Sequence, residues 1–366
     1  MPSRGPSLAW GAAATAAVFL LALPSLAGTS FVAAVMPRGL SGSALINVFV
    51  LIFLFAYLAQ CWNILGGFAG QLSLGHAAFF GIGAYTSTLL FVRLGLSPWI
   101  GMLAGMALAG AFGLLVGFLS FHYRLAGPFF TLATIAFAEL VRLTALHLDI
   151  TAGAMGILIP LQGENFWLFQ FASKTPYYYV SLAMLAAVTV LIWWLARSRT
   201  GYYLHAIRQD EDAAEAIGID TRRYKLIAAT LSAALTGAGG TFYAQYTQYI
   251  VPDDILSVGL SVEIILRAII GGSATVFGPI VGSFILTPVA EATRVLLPGS
   301  GSGAAVVQLF ASDAALAEKL AGYGKFLATG GGGGGALMLY GLILIFCCLA
   351  MPSGAVPWLR NRFRHR

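Results

Sequence analysis

Apolar runs of about 20 residues recur along almost the whole chain, and they constrain its fold more than any other feature. A run of that length crosses roughly 30 Å of hydrocarbon as a helix, the one open-ended form whose backbone hydrogen bonds are all internal. A membrane barrel would need short alternating segments instead, and none are present. The runs fall at roughly 8–27, 44–65, 76–94, 98–120, 126–147, 177–196, 225–250, 257–273, 276–297 and 336–352. With 59% hydrophobic residues, 9% charged residues and a mean hydropathy of +0.85, the chain has far more apolar material than a soluble core requires. The expected fold is all-α: a polytopic integral membrane bundle of about ten transmembrane helices forming a single membrane domain over 1–366.

Ten spans would put both termini on one side, and the basic residues test that alternation, because Lys and Arg collect in short cytoplasmic loops. One side receives Arg4, Arg124, the segment 197–225 and the basic tail 353–366, with Arg360, Arg362, Arg364 and Arg366. The other has Arg38, Arg93, Lys174, Lys319 and Lys325, spread over longer loops. Both termini are therefore expected in the cytoplasm. The net charge of +6 flanks spans rather than forming one stripe, which argues for topology and against a nucleic-acid partner. Ser25-Leu26-Ala27 would suit processing of a signal peptide, but the length of the first run favours a retained helix.

Two longer segments fall on the outer side. The segment 148–176 is long enough for a small external cap, and 298–335 ends in six glycines, Gly330 to Gly335, which suit a flexible connector. Cys61, Cys347 and Cys348 all lie in runs and match no metal-ligand spacing, so they read as small apolar residues. Gly101-x-x-x-Gly105 and Gly113-x-x-x-Gly117 would let helix backbones approach closely.

The stretch NILGGFAGQLSLGHAAFFGIGAY, Asn63 to Tyr85, is unusual for a membrane interior. Within fourteen residues it combines four glycines with Asn63, Gln71, Ser73 and His76. Backbone broken at membrane depth survives only where protein or a water-filled cavity receives its polar groups. Two readings follow: a broken or re-entrant segment beside a transport pathway, lined by these four residues, or an ordinary cytoplasmic turn before a glycine-rich helix face. Three acid–arginine pairs at helical spacing, Glu139/Arg142, Glu263/Arg267 and Glu291/Arg294, can each neutralise themselves on one helix face. No unpaired acid stands out for proton coupling.

Catalysis is not expected. The nearest approach to a phosphate-binding loop, Gly324-Lys325, has Lys319 where the first glycine belongs and Phe326 after the lysine. No nucleophile and base cluster outside the runs, and no metal or cofactor site is indicated in this chain.

About a third of all charged side chains sit in the 29 residues from Arg197 to Lys225. Within them QDEDAAEAIG, Gln209 to Gly218, places acids where a helix begins and a glycine where it ends. A short helix of about two turns between two spans is expected.

With this loop, the chain resembles the LivM-like branch of the permease family of ABC importers for branched-chain amino acids. The resemblance rests on the Asn63–Tyr85 stretch, on GPFFTLATIAFAELVR from Gly127, on SRTGYYLHAIRQDEDAAEAIGID from Ser198, and on Tyr224 through VEIILRAIIGGSATVFGPIVGSF, over roughly 44–297. It implies that the cytoplasmic helix in 197–225 is a coupling helix docking into a separate ATPase, here Asp210, Glu211, Ala213, Ala214, Glu215 and Gly218 within about 210–219. It further implies a second related permease subunit, two ATPase subunits that carry ATP and Mg, and a periplasmic or extracellular substrate-binding protein, all at a bacterial inner membrane. The segments 148–176 and 298–335 would meet the binding protein, although the polyglycine tract departs from the compact connection expected. Cargo within such a family extends to urea or short amides, and an ion-coupled secondary transporter would share broken helices and paired charges.

Overall fold

The computed structural model describes residues 20–25, 42–125 and 127–296, with the side chains of 292–296 outside that description. The expected span 336–352, the segment 298–335 and the tail 353–366 lie outside the described residues, as does most of 8–27, of which residues 20–25 are helical.

The elements are helical almost throughout. In chain order they are α1 (Gly42–Trp62), continued by a π-helix (Asn63–Phe68), α2 (His76–Leu94), α3 (Pro98–His122), α4 (Pro128–His147) and α5 (Thr175–Arg197). Next come α6 (Arg199–Gln209), α7 (Glu211–Ala216), α8 (Thr221–Thr247), α9 (Pro252–Ile255), α10 (Val258–Gly271) and α11 (Gly278–Leu296). Two-residue strands β1 (Ile157–Leu158) and β2 (Tyr249–Ile250) pair antiparallel, Ile157 opposite Ile250. Starts and stops follow local chemistry. Ser97 caps α3 ahead of Pro98, Asp220 caps α8 and Ser257 caps α10, each accepting from a backbone N–H of the first turn.

Six helices among the described residues are long and apolar enough to cross a membrane: α1 with its π-helical extension, α2, α3, α4, α5 and α8. The protein is a polytopic helical membrane protein. The segment expected to span at 257–273 is instead α10, whose 14 residues rise about 21 Å, less than the roughly 30 Å of a hydrocarbon core. It folds back through the turn at 272–277 into α11, which contains Pro288.

Contacts define two ends. At one, the cap end, Lys174 donates to Asn47 Oδ1 (3.0 Å), Arg93 to the Ile150 carbonyl (3.3 Å) and Ser97 to the Trp167 carbonyl (2.5 Å), while β1 pairs β2. Residues 148–176 thus close over the start of α1, α3 and α5 and the finish of α2 and α8. Trp99 stacks between Phe166 and Phe169 there, with ring centroids 5.2 and 4.5 Å away. At the opposite, loop end lie the π-helix, the chain break after it, α6 and α7.

The buried centre is made by α1, α2 and α8, whereas α3, α4 and α5 leave most of their apolar surface outside, with Leu103, Leu132, Val190 and Trp194 all exposed. Small residues make the centre possible. A Cβ on Gly83 would sit 2.0 Å from the Gly237 carbonyl oxygen, and one on Gly105 only 3.0 Å from Gly83 Cα. Backbones of α2, α3 and α8 therefore meet at one glycine junction. Gly113 and Gly117 continue the seam of α3 against Ala233 and Ala229 of α8, as the G-x-x-x-G spacings suggested.

Candidate functional site

The break begins where α1 loosens. From Asn63 to Phe68 the helix is π-wound, and the chain then leaves helical geometry until His76. Residues 71–75 run back beside the last turns of the helix they have left, because Trp62 Nε1 donates to the Ser73 carbonyl (2.9 Å) and Gln71 N–H reaches the Leu65 carbonyl (3.1 Å). This is irregular backbone turned into the bundle. Further groups in and beside it are met from two other helices. Thr134 Oγ1 of α4 accepts from Leu74 N–H (3.1 Å), Thr131 Oγ1 donates to the Leu72 carbonyl (2.9 Å), and Ser261 of α10 accepts from Ala77 N–H (2.9 Å). With no water in hydrocarbon, such partners are what permit the break.

His76 opens α2 fully buried. Ser232 on α8 gives its hydroxyl proton to the Cys61 carbonyl (2.7 Å), so it accepts from His76 Nε2–H (2.8 Å). One relay thereby ties α2, α8 and α1. Ser73, also buried, accepts from Gly75 N–H (3.3 Å). Asn63 faces elsewhere: its amide accepts from Ala274 N–H (2.8 Å) and donates to the Thr275 carbonyl (2.9 Å), gripping the α10–α11 turn. Gln60, one turn earlier, donates to the Val276 carbonyl (2.5 Å). Gln71 is half-buried at the mouth of the break, its side chain within 3.5 Å of the Ala69 carbonyl. Ser73 and His76 thus share one neighbourhood with Gln71, and Asn63 serves the adjacent turn.

At the same end, a Cβ on Gly70 would lie 3.0 Å from Arg208 Cγ, so the break abuts α6. Ser198 caps α6, accepting from Gly201 N–H (3.2 Å), and Asp210 ends it while capping α7, accepting from Ala213 N–H (3.0 Å). One aspartate therefore sets the corner between the two helices. Glu211 and Asp212 fill the first turn of α7, and Gly218 stops it at φ 89°, a left-handed conformation that suits glycine.

α7 has two unlike faces. Glu211 pairs with the nearly buried Lys225, whose ammonium also lies 4.8 Å from the centre of the Phe121 ring. Glu215 accepts from Thr221 Oγ1 (2.7 Å), and Ala214 is buried. These residues fasten α7 to α8. The outward face is Asp212, Ala213, Ala216 and Ile217, the last 76% exposed. Of the six residues expected at a docking face, Asp210, Ala213, Glu215 and Gly218 are exposed, Glu215 while bonded to Thr221, whereas Ala214 is buried and Glu211 holds the brace.

Of the acid–arginine pairs, Glu139/Arg142 forms with two hydrogen bonds from Arg142 Nε (3.1 and 3.0 Å) and extends through Arg142 Nη1 to Asp253 of α9 (2.5 Å). Arg267, buried, reaches the Glu263 carboxylate at 3.3 Å, donates to Thr287 Oγ1 (3.2 Å) and covers the Phe55 ring at 3.8 Å. Arg294 lies outside the described side chains. The residues that sequence reasoning missed are Gln60, Trp62, Thr131, Thr134, Ser232 and Ser261. The signal was available as Gln60/Asn63 and Thr131/Thr134, polar pairs three apart inside apolar helices, which put two hydrogen-bonding groups on one face.

Residues 43–311 match the family described as branched-chain amino acid transport system / permease component. The chain is 29% identical over 272 residues to LivM, the high-affinity branched-chain amino acid transport system permease protein of Escherichia coli strain K12. That alignment covers 68% of this chain and 63% of LivM, so the chain spans less than two thirds of that relative. LivH, a permease protein of the same description from Salmonella typhimurium, is 21% identical over 252 residues, 65% of this chain and 80% of LivH. The autoinducer 2 import system permease protein LsrC of Enterobacter sp. strain 638 aligns over 116 residues at 27% identity, 30% of this chain and 33% of LsrC. No solved structure matches. With six candidate spans among its described residues and a match over most of its length, the chain belongs to the family of branched-chain amino acid transport system permease components.

Proposed function

We propose that the chain is the transmembrane permease subunit of an ATP-driven importer that carries branched-chain or related hydrophobic amino acids across a bacterial inner membrane. The observation that carries the mechanism is α7, a short helix capped at both ends, braced inward by Glu211–Lys225 and presenting Asp212, Ala213, Ala216 and Ile217 outward. In this reading α7 is the coupling helix, the loop end is cytoplasmic as the basic residues of 197–225 suggest, and each of two ATPase subunits binds ATP and Mg. This chain hydrolyses nothing. That LivM and LivH bear the same transport-system name supports a second, related permease across the pore, and the cap over 148–176 is offered to a soluble binding protein on the far side.

Closure of the ATPases would push α7 and α6 together, and α6 bears on Gly70 in the break. The break is fixed to α1, α4, α8 and α10, so its displacement moves helices rather than a loop. This is the bistable coupling an alternating pore requires. Asn63, Ser73 and His76 shape the pathway by holding the break and the α10–α11 turn, and Gln71 stands at its mouth.

Reconstitution tests the proposal: the chain with its companion permease, ATPases and binding protein should accumulate leucine in proteoliposomes only with ATP and the binding protein. Uptake by the isolated chain down an ion gradient, indifferent to both additions, would overturn it.

A further inference from the structure

On the outer flank of α3 and α8 runs an open groove of about 890 Å³, lined by Leu114, Phe118, Leu226, Ile227, Leu231 and other apolar residues, with Arg222 and Arg223 at its loop end. We propose that this groove holds an anionic phospholipid of the surrounding bilayer, its phosphate on the two arginines and its acyl chain along the apolar floor. The inference rests on the protein spanning a membrane and not on what it transports.

Charge, shape and length support one occupant. Arg222 lies 4.8 Å over the Phe118 ring, which fixes its guanidinium above the floor of the groove. Neither arginine forms an ion pair among the described residues. Asp220 also borders the groove, but its carboxylate is engaged in capping the Arg223 N–H at 3.1 Å. The rim is thus cationic where α8 leaves the bilayer, and guanidinium groups bind phosphate in a bidentate manner. From Arg223 to Ala234 the groove follows α8 for 11 residues, about 17 Å. Half of a hydrocarbon core is about 15 Å. One leaflet's lipid fills that length, whereas a helix from a neighbouring subunit would seek a seam along the full thickness. Gly113 and Gly117 of α3 pack on Ala233 and Ala229 of α8 along this same stretch, so the groove lies on the outer side of a closed seam.

Native mass spectrometry of the full chain in mixed micelles tests the site with phosphatidylglycerol and phosphatidylcholine as probes. The wild type should retain phosphatidylglycerol roughly tenfold more than phosphatidylcholine, and Arg222→Gln with Arg223→Gln should abolish that preference. Equal retention by the wild type, or an unchanged preference in the double variant, would overturn the proposal. Should the double variant not fold, Ile227→Trp leaves both arginines and fills the floor: reduced retention of phosphatidylglycerol supports the site, unchanged retention overturns it. In the assembled transporter a photoreactive side chain at position 227 should capture phospholipid. Capture of a neighbouring polypeptide instead would assign the groove to a protein interface.

Discussion

The break at 69–75 and the α6–α7 corner at 199–216 lie at the same end of the bundle and touch at Gly70 and Arg208, and both interrupt apolar spans with polar residues. In the break those residues turn inward. Ser73 and His76 are buried, and the backbone around them is satisfied by Trp62, Thr131, Thr134 and Ser261. At the corner only one side is fastened, through Ala214, Glu211 and Glu215, while Asp212 and Ile217 remain outside. Polar residues at a membrane boundary thus do two different jobs, one of cohesion and one of presentation, and the difference lies in whether neighbouring helices supply partners.

The largest effect is expected where the cohesive side is cut. Asn63→Ala removes both hydrogen bonds to the α10–α11 turn and leaves the Ala274 N–H and the Thr275 carbonyl without their partner. At about 1–3 kcal/mol for a fully buried unsatisfied group, and less for these two half-buried ones, the loss is on the order of 2–4 kcal/mol. Thermal unfolding in detergent should register it. An unchanged transition would mean that the turn does not depend on this clamp.

Next comes the brace between corner and bundle. Glu211→Ala takes from the nearly buried Lys225 its ion-pair partner, leaving the ammonium beside the Phe121 ring, and hydrogen bonds to charged groups contribute about 1.5–3 kcal/mol. Unfolding should occur earlier, and proteolysis within 210–220 should accelerate. Lys225→Met, which removes the charge that needs a partner, should recover much of the stability of Glu211→Ala in the double variant; failure to do so would break the ion-pair account.

A smaller loss, about 1–2 kcal/mol, is expected for Thr134→Val, which keeps the shape of the side chain but removes the acceptor for Leu74 N–H. The same measurement reads it, and a null result would mean that water or another group takes over at Leu74.

How much of this was legible in the sequence depended on whether a feature is local. Six of the apolar runs, the acids that open α7 and the stop at Gly218 are written within a few residues, and the described residues show each of them. The Asn63–Tyr85 stretch advertised its irregularity through composition. Its partners did not, since Thr134, Ser232 and Ser261 lie 61, 159 and 188 positions beyond Ser73 and only the packing of α4, α8 and α10 brings them there. The length of α10 was misjudged for a related reason. An apolar segment of 257–273 reads alike whether lipid or protein surrounds it, and here a turn held by Gln60 and Asn63 stops the helix at Gly271.

The smallest effect on stability is expected where the largest effect on function is proposed. Ile217→Lys and Asp212→Lys alter a face that is exposed among the described residues, so unfolding should shift by no more than about 1 kcal/mol, the part at Asp212 coming from the lost acid in the first turn of α7. Coupled uptake in the reconstituted transporter should nevertheless fall roughly tenfold or more, because a lysine at the centre of a docking face must be desolvated on binding, a cost that contacts at the edge do not incur. Ala214→Ser serves as the contrasting variant. Its side chain is buried, so it should lower stability modestly while ATPase association persists. If both outward variants transport normally, α7 is not the docking element, and the exposed side of the corner is merely solvated; if Ala214→Ser instead abolishes association with an unchanged unfolding transition, the inward and outward faces have been assigned the wrong way round.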